Sequence, residues 1–136
     1  MVRLFLSKMT EQNRTYPRSE KLKSRKLIQE LFARGKSVSA ASVKCLFLQQ
    51  PEGMTELIQA GVGVSARNFR KSVQRNRIKR MLREAYRNNN QSLHQALSNQ
   101  ATSLALFLLY IGKDMPEWSQ LQAAVKSALE KLEKAL

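Results

Sequence analysis

Residues 104–111 read LALFLLYI, eight apolar residues without a break. A helix that crosses a bilayer needs about twenty such residues, so this run is too short to span a membrane. It reads as a buried strand, and the rest of the chain has to supply the neighbours that bury it. The chain's 136 residues suffice for one domain with a modest core and leave little room for a second.

Those neighbours follow from periodicity. In SRKLIQELFARG, Ser24 is placed as an N-cap, Leu27, Ile28, Leu31 and Phe32 form one apolar stripe, and Gly35 stands where a helix would end. Residues 42–50 are rich in Val, Leu and Phe and predict a strand, closed by a Pro-Glu-Gly turn at 51–53. Residues 57–64 predict a second strand, antiparallel to the first in a hairpin. A long helix is expected from residue 71 or 72 to 87, where three asparagines break the pattern, followed by a short helical piece over 92–97. The third strand covers 102–111, and Gly112 with Pro116 marks the turn into a last helix. There Trp118, Leu121, Val125, Ala128, Leu129, Leu132 and Leu136 recur at spacings of three and four. The expected class is α+β, a single sheet with packed helices in the order α-β-β-α-β-α. Residues 1–15 lack periodicity and are expected to form a flexible extension, with 16–136 as the domain.

Charge narrows the partner. Lys and Arg number 24 against 10 Asp and Glu, and the net charge of +14 attracts polyanions. Hydrophobic residues make up 43% of the sequence, which separates it from a disordered basic tail. The charge concentrates in RNFRKSVQRNRIKRMLREAYR, residues 67–87, where nine Lys or Arg face one acid, Glu84. On a helix, Ile78, Leu82, Ala85 and Tyr86 fall on one face. Asn76, Arg80, Arg83 and Arg87 form a second stripe roughly opposite, with Lys79 on its margin. An ordinary solvated face mixes Glu with Lys to gain intrahelical pairs, and this one does not. Arginine forks suit phosphate oxygens and stack on unpaired bases. A membrane surface fits less well, because the helix's apolar face is short and needed by the core.

Other chemistries lack their residues. Asp114 is the only Asp, so the carboxylate cluster of a two-metal protein nuclease is missing. His94 is the only histidine, stands in a polar stretch, and reads as a surface residue rather than a general base. The single Cys45 sits among apolar residues as a buried free thiol. Gly61 and Gly63 in GVG lack the third glycine of a dinucleotide fingerprint and read as close-packing positions in a strand. The opening MVRLFLSKM is a poor signal peptide, and a cytoplasmic protein is expected.

The segment KSVQRNRIKRMLREAYR closely resembles the Arg-Asn-Arg signature of the bacterial ribonuclease P protein component. Upstream, SEKLKSRKLIQELFARGKSVSA (19–40) is similar to that family's first helix and following turn, and GVGVSARNFRKSV (61–73) to its strand leading into the signature. The resemblance implies a ribosomal-protein-like α/β sandwich with a left-handed βαβ crossover, against the usual right-handed rule. It also implies the protein subunit of a ribonucleoprotein endonuclease that removes the 5′ leader from precursor tRNA. The partners would be ribonuclease P RNA and precursor tRNA, with no membrane and no protein partner required. Magnesium ions held mainly by the RNA would do the chemistry, and no protein side chain would be catalytic. Carried over by position, Arg75, Asn76, Arg77, Lys79, Arg80, Arg83 and Arg87 would face the catalytic RNA, joined by Arg67, Arg70 and Lys71 on the approach. A cleft for the single-stranded leader would be lined by Ile28, Phe32, Lys36, Lys44 and Phe47. The family places two aromatics on its first helix, and here Phe32 matches while the other position is Ile28, which offers apolar contact without a full stacking surface. Against this stand a ribosomal or RNA-chaperone module, which binds RNA without serving cleavage, and a self-sufficient protein nuclease, which the sparse acids disfavour.

Overall fold

The computed structural model describes residues 21–136 apart from 23, 52, 53 and 55, so the extension expected at 1–15 and two positions of the expected 51–53 turn lie outside the described residues. The elements run α1 (Arg25–Arg34), β1 (Lys36–Ala40), β2 (Val43–Gln49), β3 (Ile58–Val64), α2 (Ser72–Asn89), α3 (Gln91–Gln100), β4 (Leu104–Tyr110) and α4 (Trp118–Ala135). The class is α+β, as expected, with the four strands in one sheet ordered β1-β2-β4-β3.

The apolar run takes an interior place in that sheet. Strand β4 pairs antiparallel with β2 and parallel with β3, so its backbone groups are satisfied on both sides. This corrects the expected hairpin of β2 with β3: β4 lies between them. The reason is burial, since a strand whose successive side chains are all apolar gains most where both faces are covered. Residues 36–40, expected as the turn after the first helix, instead form the extended edge strand β1, paired antiparallel to β2 from Lys36↔Phe47 to Ala40↔Val43. Its five residues, KSVSA, are short and half polar, and only Val38 and Ala40 turn inward.

Two layers cover the sheet. On one face Val43, Cys45, Phe47, Leu104, Leu106 and Leu108 pack with α2, α3 and α4 in the main core. Helix α2 contributes Ile78, Leu82, Ala85 and Tyr86, the four residues that its periodicity assigned to the core. It continues through Asn88 and Asn89 before ending at Asn90. Helix α4 buries Leu121, Val125, Ala128, Leu129 and Leu132, while Trp118, the first member of the expected stripe, stays 38% exposed at the helix start. The piece expected at 92–97 is the longer α3, anchored by Leu93 and Leu97.

The other face is covered by α1. Ser24 caps it, its side chain accepting from the Leu27 amide at 3.3 Å, and Leu27 and Leu31 are buried against Leu22 and Ala105. Burying two leucines supplies about 3 to 6 kcal/mol before entropy costs. Just before α1, Lys21 bridges Ala60 in parallel and the Leu22 amide donates to the Ala60 carbonyl at 2.9 Å, which closes the outer edge of β3.

Candidate nucleic-acid interface

Ile78, Leu82, Ala85 and Tyr86 are turned into the core, and the opposite side of α2 therefore faces outward. Asn76, Arg77, Arg80, Arg83 and Arg87 are exposed along it, and Lys79 is half-buried on the margin. Arg87 pairs with Glu84, the one acid of the segment. Arg67, Arg70, Lys71, Arg77, Arg80 and Arg83 make no ion pair among the described residues. The first turn of α2 carries no acid and its N-cap position, Lys71, makes no side-chain cap bond. The positive end of the helix dipole thus adds to the side-chain charge. Arg67, Arg70 and Lys71 continue the exposed cations onto the loop before the helix. Arg75 differs from the rest: it is half-buried, and its Nη1 donates to the carbonyls of Phe69 at 2.8 Å and Arg70 at 2.7 Å.

The second region lies on the α1 face of the sheet. Strand register sets three rows across it: Lys44, Leu109 and Gly63; Leu46, Phe107 and Gly61; Leu48, Ala105 and Gln59. Helix α1 packs over Leu48, Ala105 and part of Phe107. Phe32, 54% exposed, stands edge to face against Phe107 with ring centroids 5.4 Å apart. Ile28 packs half-buried one turn back along the helix. Gly61 and Gly63 are what let the Phe107 ring lie down. A Cβ on Gly61 would come within 2.9 Å of its Cδ1, and one on Gly63 within 2.7 Å of its Cζ.

Two expected members of this region are elsewhere. Phe47 is 3% exposed in the main core, on the face opposite α1, because it alternates with Leu46 and Leu48 along β2. Lys36, its cross-strand partner, shares that opposite face and is exposed at the end of β1. Phe107 was not anticipated. Its parity is invisible within LALFLLY, where every neighbour is apolar, although two glycines spaced by two on the adjacent strand mark a face left bare for a ring.

Among the described residues no three of His, Cys, Asp and Glu come together to hold a metal ion, and no helix is long and apolar enough to cross a membrane. His94 is half-buried rather than on the surface, its Nδ1 2.9 Å from the Asn90 carbonyl oxygen. Cys45 is buried, which pushes its thiol up to about 12.

The family model for ribonuclease P matches residues 16–133. The chain belongs to the ribonuclease P protein family. It is 32% identical over 124 residues to the ribonuclease P protein component of Chlorobium phaeobacteroides, covering 83% of this chain and 84% of that one. The component from Porphyromonas gingivalis is 27% identical over 112 residues, 82% of each chain. The ribonuclease P protein of Staphylococcus aureus shares the fold, with a TM-score of 0.61 at 16% identity over 83% of this chain and 94% of that one. As a ribonuclease P protein, the chain serves tRNA processing.

Proposed function

We propose that this ribonuclease P protein binds its catalytic RNA through the outward side of α2 and the loop before it, and holds the 5′ leader of precursor tRNA against the Phe32–Phe107 seam. The carrying observation is the row of Arg77, Arg80 and Arg83, exposed without ion-pair partners among the described residues, on a helix whose opposite side is locked into the core. Cations aligned in this way repel one another in the free protein and gain most from a polyanion. Ile28, Phe32 and Phe107 give apolar and aromatic surface suited to unstacked bases, and Lys44, on the same sheet face, suits the leader's phosphates.

In this reading the protein assists rather than cuts. Magnesium ions held mainly by the RNA would activate the attacking water and stabilise the charge that develops at the phosphate. The protein's own residues neutralise RNA phosphates and orient the leader, which raises the effective occupancy of the precursor at the RNA's reactive site. The deciding experiment is 5′ cleavage of precursor tRNA by ribonuclease P RNA at low magnesium, with and without this protein, beside a protein-only control. Rescue only when both are present supports the assignment. Tight RNA binding without rescue moves it to an RNA-chaperone role, and cleavage by the protein alone overturns it.

A further inference from the structure

Arg75 sits in the middle of the most basic run of the chain, yet its Nη1 is engaged inside the protein. It precedes Asn76 by one residue and so stands about 100° around the helix from the exposed stripe. From there Nη1 reaches back over the first turn to two successive carbonyls, Phe69 at 2.8 Å and Arg70 at 2.7 Å. Hydrogen bonds from a guanidinium to carbonyl oxygens are stronger than neutral ones. The same loop is fastened at other points. Phe69 is buried with its ring centroid 5.9 Å from that of Tyr110, and its amide donates to the Ser65 carbonyl at 3.2 Å. Asn68 Nδ2 donates to the Gly112 carbonyl at 3.2 Å. Between these attachments Arg67, Arg70 and Lys71 remain exposed.

We propose that Arg75 is a positioning residue: it clamps the 65–71 loop to the start of α2 so that Arg67, Arg70 and Lys71 are presented to RNA as a continuation of the helix stripe, rather than itself contacting phosphate. The proposal rests on the reading that this side of the protein faces the catalytic RNA. A loop carrying three cations would lose backbone freedom on binding, and a loop ordered beforehand has already lost it.

The test measures affinity for ribonuclease P RNA over a salt series for four proteins: the wild type, Arg75→Ala, the triple Arg67→Ala/Arg70→Ala/Lys71→Ala, and the quadruple. Removing one phosphate contact lowers the slope of log affinity against log salt by about 0.7 to 0.9. Arg75→Ala is expected to lower it by clearly more than one contact's worth, because the three loop cations disengage together. Added to the triple variant, the same change is expected to alter affinity by less than about twofold. An equal loss in both backgrounds, with a slope change of a single contact, would overturn the clamp.

Amide exchange in the free protein reads the clamp without RNA. Residues 67–71 are expected to exchange faster in Arg75→Ala while the amides of 78–86 keep their protection, and unchanged loop exchange would overturn the proposal. If Arg75→Ala fails to fold, Arg75→Lys replaces it. Lysine keeps the charge a phosphate contact needs on a stem that ends short of the two carbonyls, so wild-type affinity and slope in that variant would also overturn the clamp. Unchanged affinity in Arg80→Ala/Arg83→Ala would sink the underlying RNA reading, a failure distinguishable because loop exchange does not depend on it.

Discussion

Phe32 of α1 and Phe107 of β4 meet edge to face, their planes inclined at 65°. The contact joins a helix and a strand that are 75 positions apart in the chain, and it leaves Phe32 more than half exposed. Such a pair is held in place for packing and still offers a ring to a partner.

Truncating either ring is expected to weaken binding of precursor tRNA while sparing mature tRNA. A base stacked on an aromatic contributes about 1 to 3 kcal/mol. Phe32→Ala should therefore reduce precursor affinity by about five- to 150-fold if one base is lost. Phe107→Leu, which keeps most of the buried volume, should do the same with a smaller cost in stability. Parallel titrations of precursor and mature tRNA check both; equal losses on the two substrates would count against the leader seam.

Gly63→Ala tests the floor beneath the pair. The new Cβ lies within contact of the Phe107 Cζ, so the ring must tilt away from β3. Overpacking of this kind costs about 1 to 3 kcal/mol. The expected result is a modestly lower melting temperature together with a reduced preference for precursor over mature tRNA. A protein that melts earlier but keeps its full preference would show that the ring's position is immaterial to the leader.

The stripe on α2 is addressed by Arg80→Ala with Arg83→Ala. Both are exposed and unpaired among the described residues, so the fold should be almost unaffected. Affinity for ribonuclease P RNA should fall, and the slope of log affinity against log salt should drop by about 1.4 to 1.8, two contacts' worth. A fluorescence titration at several ionic strengths measures this directly.

Cys45 makes stability depend on pH in the alkaline range. Burial raises its folded-state value from 9.0 to about 12, so between these limits the unfolded chain gives up a proton that the folded chain keeps. The unfolded state then binds fewer protons, and stability falls as pH rises, by at most about 1.4 kcal/mol per pH unit from this group. Below pH 9 the contribution is fully present. Urea unfolding of the wild type and Cys45→Ala across this range is expected to show the steeper decline in the wild type. Parallel declines would assign the alkaline loss to other groups.

How much of this was readable in advance depends on the element. Helix α2 declared itself, because four apolar residues at helical spacing stand among cations that cannot enter a core, and Ile78, Leu82, Ala85 and Tyr86 are buried as that pattern requires. Ser24 and Gly35 bracketed α1 for similarly local reasons. The sheet order was not local information. Strand β4 separates β2 from β3 because of what it buries, and nothing in the 42–64 segment alone reveals a third strand between its two. The exchange of Phe47 for Phe107 has the same origin. LALFLLY is apolar on both parities, and in VKCLFLQ the two polar residues, Lys44 and Gln49, fall one on each parity, so the alternation that would tell core face from α1 face is erased. Strand β1 escaped notice because KSVSA is too short and polar to stand apart from a turn.

The near absence of acids along the α2 stripe has a consequence for the free protein. Counterions that screen Arg77, Arg80 and Arg83 from one another relieve a repulsion present only when the helix is formed. Moderate salt is thus expected to stabilise the uncomplexed fold while it loosens the proposed grip on RNA. On the proposed RNA-binding role, two equilibria that share the same side chains respond to ionic strength in opposite directions, and RNA, by replacing those counterions, would act as a folding ligand for the chain.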